Sequence, residues 1–118
     1  EVEYEDYMTG DAEVILTAYG ISGRIAKSAV GILRAEGIKA GLIRPKKVYP
    51  FPDEAYDKLN FAALKGIVSA EMAIPAQFTA DVENVVRGRT RIETALSSGG
   101  EILDRSVILE AARGLCGR

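Results

Sequence analysis

Few residues in this chain have the type and spacing to do chemistry. The turn Gly20-Ile21-Ser22-Gly23-Arg24 follows directly on an apolar run. A glycine turn that ends a strand and opens a helix can present backbone N–H groups to an anion, and the helix dipole adds to the attraction. The same glycines equally serve a tight strand-to-helix turn that binds nothing. Neither G-x-G-x-x-G nor G-x-x-x-x-G-K-[ST] is present, so the turn is not a nucleotide fingerprint. Glu71 closes a second apolar run, where it is either a carboxylate aimed into a crevice or a cap for the following helix; Gln77 lies across the same loop. Cys116 is the single cysteine and the chain holds no histidine. A Ser-His-Asp triad, a Cys-His pair, the usual zinc sites, a disulfide framework and an iron–sulfur cluster ligated by this chain alone are therefore excluded. With no histidine to activate it, Cys116 reads as a buried or incidental thiol rather than a nucleophile.

These residues depend on the elements that carry them. Val14-Ile15-Leu16-Thr17-Ala18-Tyr19 is apolar without alternation, which predicts a strand covered on both faces. Ser22 is placed to cap a helix whose Ile25, Ala29, Ile32 and Leu33 form one stripe, with Gly37 just beyond its end. Ile38 to Ile43 is the next strand, completing a strand–helix–strand unit. Arg44 to Pro52 carries three prolines and is expected to be irregular, with Tyr49 and Phe51 anchoring it. Pro52-Asp53-Glu54 opens a short helix ending near Asn60, and Ile67 to Ala70 is a third core strand. Pro75 opens a helix with the stripe Phe78, Val82, Val85 and Val86, ended by Gly88. In Arg91 to Leu96 the alternation of Ile92, Thr94 and Leu96 predicts an edge strand. Ser97 to Gly100 is a loop, and Ser106 caps a last helix containing Val107, Ile108, Ala111, Ala112 and Leu115.

Strands alternating with helices predict a three-layer α/β/α domain. If the Val14 strand is central, with the Ile38 and Ile67 strands on either side, the ligand crevice lies between Gly20–Arg24 and Glu71–Gln77. The length of 118 residues predicts a single domain spanning residues 1–118. Because the chain starts at Glu1 without a Met, it reads as excised from a larger subunit.

An apolar fraction of 47% with 27% charged residues is that of an ordinary globular domain. A net charge of −2 gives no general attraction for nucleic acid, and no apolar run approaches the ~18 residues of a membrane span. The charge is uneven. Residues 1–13 hold six acids and no base, which reads as a solvated linker; residues 14–47 hold seven bases and one acid. That basic block is either a solvated face or an attraction for phosphate or an acidic partner, through Arg24, Arg44, Lys46 and Lys47.

Taken together, Val14-Ile15-Leu16-Thr17-Ala18-Tyr19-Gly20, Ser22 to Val30, Gly37 to Pro45 with its I-R-P, the P-F-P of Pro50-Phe51-Pro52, and the later Glu71-Met72 with Gln77 resemble the 2-oxoacid:ferredoxin oxidoreductases. The resemblance runs from Tyr4 to about Gly100 and is to core domain II of the alpha subunit, similar in fold to the transketolase C-terminal domain. This chain departs from the family at Ala76, where glycine is usual, and at Ile74-Pro75, which replace more polar residues. The resemblance implies a mostly parallel five-stranded sheet with one short antiparallel strand near Tyr4 to Met8, so that residues 1–12 are a linker and a short edge strand. It implies a cytoplasmic parent enzyme that decarboxylates a 2-oxoacid with thiamine diphosphate and Mg²⁺. Electrons would pass through an iron–sulfur cluster to ferredoxin, and the acyl group to coenzyme A. The implied partners are the other alpha-subunit domains and a beta subunit. No catalytic, cofactor or metal residue is assigned to this domain; Gly20, Ser22, Gly23, Arg24, Glu71 and Gln77 remain crevice candidates. Two alternatives stand beside this one: an autonomous phosphate- or coenzyme-A-binding module with a Rossmann-like fold, or the equivalent domain of a thiamine-dependent dehydrogenase or transketolase relative.

Overall fold

The structure is a computed structural model that describes residues 3–20, 22–47, 50–71, 77–96 and 103–118. Its elements, in chain order, are β1 (Tyr4–Tyr7), β2 (Val14–Ala18), α1 (Ser22–Ala35), β3 (Ala40–Pro45), α2 (Asp53–Asp57), β4 (Gly66–Glu71), α3 (Gln77–Val86), β5 (Ile92–Leu96) and α4 (Arg105–Leu115). The sheet order is β1-β3-β2-β4-β5. Strand β2 is parallel to both β3 and β4, and β4 is parallel to β5; β1 alone is antiparallel, pairing Tyr4 with Pro45 and Tyr7 with Leu42. The expected architecture is therefore present, with β2 at the centre and the short N-terminal strand at an edge.

Each buried strand divides its side chains between two cores. Val14, Leu16, Ala40, Leu42, Val68, Ala70 and Ala95 face α1 and α4. Ile15, Ile43 and Ile67 face α2 and α3, whose Tyr56, Phe78, Val82 and Val86 complete the second core. Because β2 and β4 are covered on both sides, every residue in them is buried, which explains why their sequences do not alternate. Phe51 stacks on Tyr56 at 5.5 Å between ring centroids and tilts against Phe78 at 6.2 Å, so it anchors the proline segment onto the chain's own core. Tyr49, Ile74, Pro75, Ala76 and the loop Ser97 to Gly100 lie outside the described residues.

Several local expectations are corrected. Strand β3 runs to Pro45 rather than stopping at Ile43, because β1 pairs alongside it and a proline can end a ladder that asks nothing of its missing N–H. Ser22 is the first helical residue of α1 and is buried, rather than a cap. The cap of α4 is Asp104, whose carboxylate accepts from the Ser106 N–H at 2.9 Å; Ser106 lies inside the helix. In β5 it is Ala95 that is buried, while Thr94 and Leu96 are exposed. Helix α2 ends at Asp57, three residues before the expected limit. Gly37, with φ +87°, ends α1 as expected, and Gly88, with φ +72°, follows α3.

The acidic segment is more than a linker. Leaving β1, the chain has to step across β3 to enter β2, and it does so over Gly41: a Cβ there would lie 2.6 Å from the Met8 carbonyl oxygen. Arg34 ties this crossing down, donating to the carbonyls of Ala40 (2.8 Å) and Met8 (3.0 Å) and pairing with Asp11 at 2.7 Å. Glu5 pairs with Lys27 at 2.6 Å, Glu3 with Lys47 at 3.1 Å, Asp6 with Lys58 at 2.6 Å and Glu13 with Lys65 at 3.0 Å. Lys27 and Lys58 also lie over the rings of Tyr7 and Tyr4, at 4.6 and 5.2 Å from the centroids. Lys27, Arg34, Arg44 and Lys47 of the basic block thus meet carboxylates of the acidic start, whose Asp6 and Glu13 reach beyond the block to Lys58 and Lys65.

Candidate functional site

Strand order places the candidate site. Helix α1 returns from β2 toward β3 on one face, while α3 leads from β4 out to β5 on the other. The strand order thus reverses between the carboxyl ends of β2 and β4, and such a reversal opens the crevice where open α/β sheets bind ligands. Ala18 pairs with Ala70, so Gly20 and Ser22–Arg24 stand at the end of one strand and Glu71 at the end of its neighbour, with Gln77 exposed at the start of α3. The residues singled out from the sequence thus share one rim.

Their local geometry defines what each can do. Gly20 adopts φ +68°, a left-handed conformation that glycine takes without strain, and its carbonyl accepts from the Gly23 N–H at 3.0 Å. One N–H that an anion would need is thereby used inside the turn. A Cβ at Gly23 would collide with the Arg44 side chain, which lies across the start of α1 with its Nε buried and unpartnered. The end of the Arg44 guanidinium reaches Glu5 at 3.5 Å. The turn is built for close packing of the α1 start on β3.

Glu71 is buried, and its Oε2 accepts from the Thr79 N–H at 2.8 Å. It supplies from the preceding strand the acceptor that an N-cap residue usually gives to the first turn of a helix. Of the two roles open from the sequence, the structure displays the cap. Beneath it, the Ser69 and Thr79 hydroxyls bond at 2.9 Å. One strand away, Thr17 donates to the Ile43 carbonyl at 2.9 Å, which leaves the Tyr56 hydroxyl to donate to Thr17 at 2.6 Å. Burial pushes the Tyr56 phenol far above its usual range, so it stays a neutral donor. The polar atoms on this face are held by one another.

A second concavity opens on the other face, between the first turns of α1 and the start of α4. It has a volume of about 580 Å³ and is lined by Arg24, Ile25, Ser28, Leu103, Asp104 and Arg105. Only Arg24 of this set belongs to the sequence-derived candidates. The signal in the sequence is Leu-Asp-Arg at 103–105, an apolar residue, a cap and a cation in succession.

Among the described residues no group of three or more His, Cys, Asp or Glu is placed to hold an ion, and Cys116 is a lone, partly buried thiol whose pKa burial pushes up. The described residues do not supply the donor set of Mg²⁺ or of an iron–sulfur cluster. Nor is any helix among the described residues long and apolar enough to cross a membrane.

The basic block offers less free charge than its composition implied, since Lys27, Arg34, Arg44 and Lys47 all have carboxylate partners. Those partners respond in turn. Lys27 holds the Glu5 carboxyl below its ordinary 4.5, Arg34 holds Asp11 below 3.8, and the Lys39 N–H followed by Lys65 does the same for Glu13. Groups whose folded pKa is lowered stabilise the fold fully above the unfolded carboxylate range, and that contribution is lost as the pH falls through the folded values. The urea midpoint should therefore drop between about pH 6 and about pH 3, and molar salt at the higher pH should reduce the difference. A midpoint that ignores both pH and salt would show that these pairs contribute nothing.

Comparison with known proteins agrees with the fold and with the sequence motifs. Residues 12–108 match the family described as pyruvate:ferredoxin oxidoreductase core domain II. Ketoisovalerate oxidoreductase subunit VorB of Methanothermobacter marburgensis is 41% identical over 117 residues, which is 99% of this chain and 32% of that protein. The chain thus spans about a third of the length of the curated relative it matches. Among solved structures, 2-oxoglutarate:ferredoxin oxidoreductase from Magnetococcus marinus aligns over 98% of this chain and 19% of its own, with TM-score 0.72 at 23% identity. Transketolase from Pichia stipitis aligns over 97% of this chain and 18% of its own, with TM-score 0.57 at 18% identity. At these identities the structural likeness establishes the fold, and the family follows from the match over residues 12–108: this chain belongs to the pyruvate:ferredoxin oxidoreductase core domain II family.

Proposed function

We propose that this chain is a single structural and assembly domain within an alpha-type subunit of a 2-oxoacid:ferredoxin oxidoreductase. It packs against the other domains of that subunit and against a beta subunit, without carrying out the reaction itself. The observation that carries the proposal is the identity of 41% over 117 residues with a subunit about three times as long. The parent reaction is oxidative decarboxylation of a 2-oxoacid in the cytoplasm. Thiamine diphosphate with Mg²⁺ supplies the carbanion chemistry, an iron–sulfur cluster the electron path to ferredoxin, and coenzyme A the acyl acceptor. This chain contributes a sheet filled on both faces, a rigid platform for sites on neighbouring domains. Two features of the rim fit a docking role: Tyr19 and Leu96 are exposed at the carboxyl ends of β2 and β5.

The chain alone, given a 2-oxoacid, thiamine diphosphate, Mg²⁺, coenzyme A and oxidised ferredoxin, should reduce no ferredoxin. The complete enzyme should turn over, and should lose activity and subunit association when these 118 residues are deleted. Turnover by the chain alone, or a complete enzyme indifferent to the deletion, overturns the proposal.

A further inference from the structure

The concavity between α1 and α4 is unlike the rest of the charged surface. Most cations around β1 meet a carboxylate, yet Arg24 stands in the first turn of α1 with no ion pair among the described residues and no acid in that turn. A cation there faces the positive end of the helix dipole and is repelled by it. Across the concavity the Arg105 guanidinium is held in place, donating from Nη1 to the Ser28 hydroxyl at 2.8 Å. The carboxylate among the lining residues, Asp104, is engaged in capping α4 through Ser106. Between the two arginines lie the half-buried Ile25 and the buried Leu103. Two guanidiniums, one already oriented, thus border an apolar wall in a space of about 580 Å³, within the ~300–1,000 Å³ typical of small-ligand sites.

The geometry points to a binding site for a small organic oxyanion. Its phosphate or carboxylate group is gripped by Arg24 and Arg105 while its ring or chain lies on Ile25 and Leu103. Guanidiniums match both oxyanions through paired N–H donors, and the fixed Arg105 loses little freedom on binding. The site shares Arg24 with the Gly20 turn but does not draw on the turn's backbone N–H groups, of which that of Gly23 is already used. It does not rest on the assembly role, since the chain by itself holds all six lining residues.

Calorimetric titration of the whole chain at fixed ionic strength tests this with three probes: phenyl phosphate, phthalate and inorganic phosphate. Saturable one-to-one binding is expected for at least one aromatic probe, with inorganic phosphate at least tenfold weaker; comparing the two aromatic probes identifies the preferred oxyanion. Arg24→Ala and Arg105→Ala should each weaken binding about tenfold or more with thermal midpoints close to that of the parent chain, while Lys46→Ala, an exposed cation outside the cavity, should leave affinity unchanged. Three results overturn the inference: no saturation by either aromatic probe, inorganic phosphate binding as tightly as both, or Lys46→Ala weakening binding as much as the arginine variants.

Discussion

Gly41→Ala should destabilise the fold by about 2–3 kcal/mol, the usual cost of inserting a methyl group where no space exists. The added Cβ would fall 2.6 Å from the Met8 carbonyl oxygen and 3.0 Å from the Thr9 Cα. Both are backbone atoms that cannot rotate away as a side-chain tip would. Met8 is already held at φ +57°, so the crossing has little conformational slack. Relief requires lifting the link off β3, which loosens the bonds from Arg34 to Met8 and Asp11. The control is Gly31→Ala in α1, where a Cβ meets nothing within 4 Å; it should stabilise by about 0.5–1 kcal/mol because alanine loses less backbone entropy in a helix. Urea melts of the two variants should move in opposite directions. A Gly41→Ala melt that overlays the parent would show that the link does not press on β3.

Glu71→Ala should cost about 2 kcal/mol, more than the ~1 kcal/mol expected for loss of an ordinary cap, because a charge-assisted bond to a buried N–H disappears. The Thr79 N–H would be left in a buried site without its acceptor. Glu71→Gln separates the two roles open to this residue. An amide oxygen can still accept from Thr79, so a capping role predicts recovery of about half the loss and amide exchange in the first turn of α3 close to that of the parent. If the charge itself matters to a ligand on the rim, Gln should match the parent in stability and fail in binding. Equal destabilisation by Ala and Gln would exclude the cap.

What the sequence revealed followed from signals that are local or periodic. The unbroken apolar runs of β2 and β4 identified buried parallel strands, because only strands covered on both faces can dispense with alternation. The stripe Phe78, Val82, Val85 and Val86 identified α3, and all four residues are buried. What it concealed depended on residues far apart in the chain. Nothing near Pro45 says that Tyr4 will pair with it, so the end of β3 is not legible in the local sequence. The charge blocks were visible as sums, but the pairing of Asp6 with Lys58, or of Glu13 with Lys65, exists only after the chain folds. Asp104 and Ser106 are both good cap residues, and only backbone geometry, with Asp104 extended at φ −79°, ψ 130°, chooses between them. The rim residues were legible as a group, since Gly20 and Glu71 each end a recognisable strand. The cavity was not, because it forms where α4 returns to lie beside α1, and neither helix announces the other.

The antiparallel strand β1 has a consequence for anyone trimming this chain. Residues 1–13 carry six of the acids of a molecule whose net charge is −2, so a version starting at Val14 would become cationic. It would also bare the hydrogen-bonding flank of β3, offering a template to any other unpaired strand. Such a product should adhere to cation-exchange resin and to polyanions more strongly than the intact chain, and should precipitate sooner on concentration.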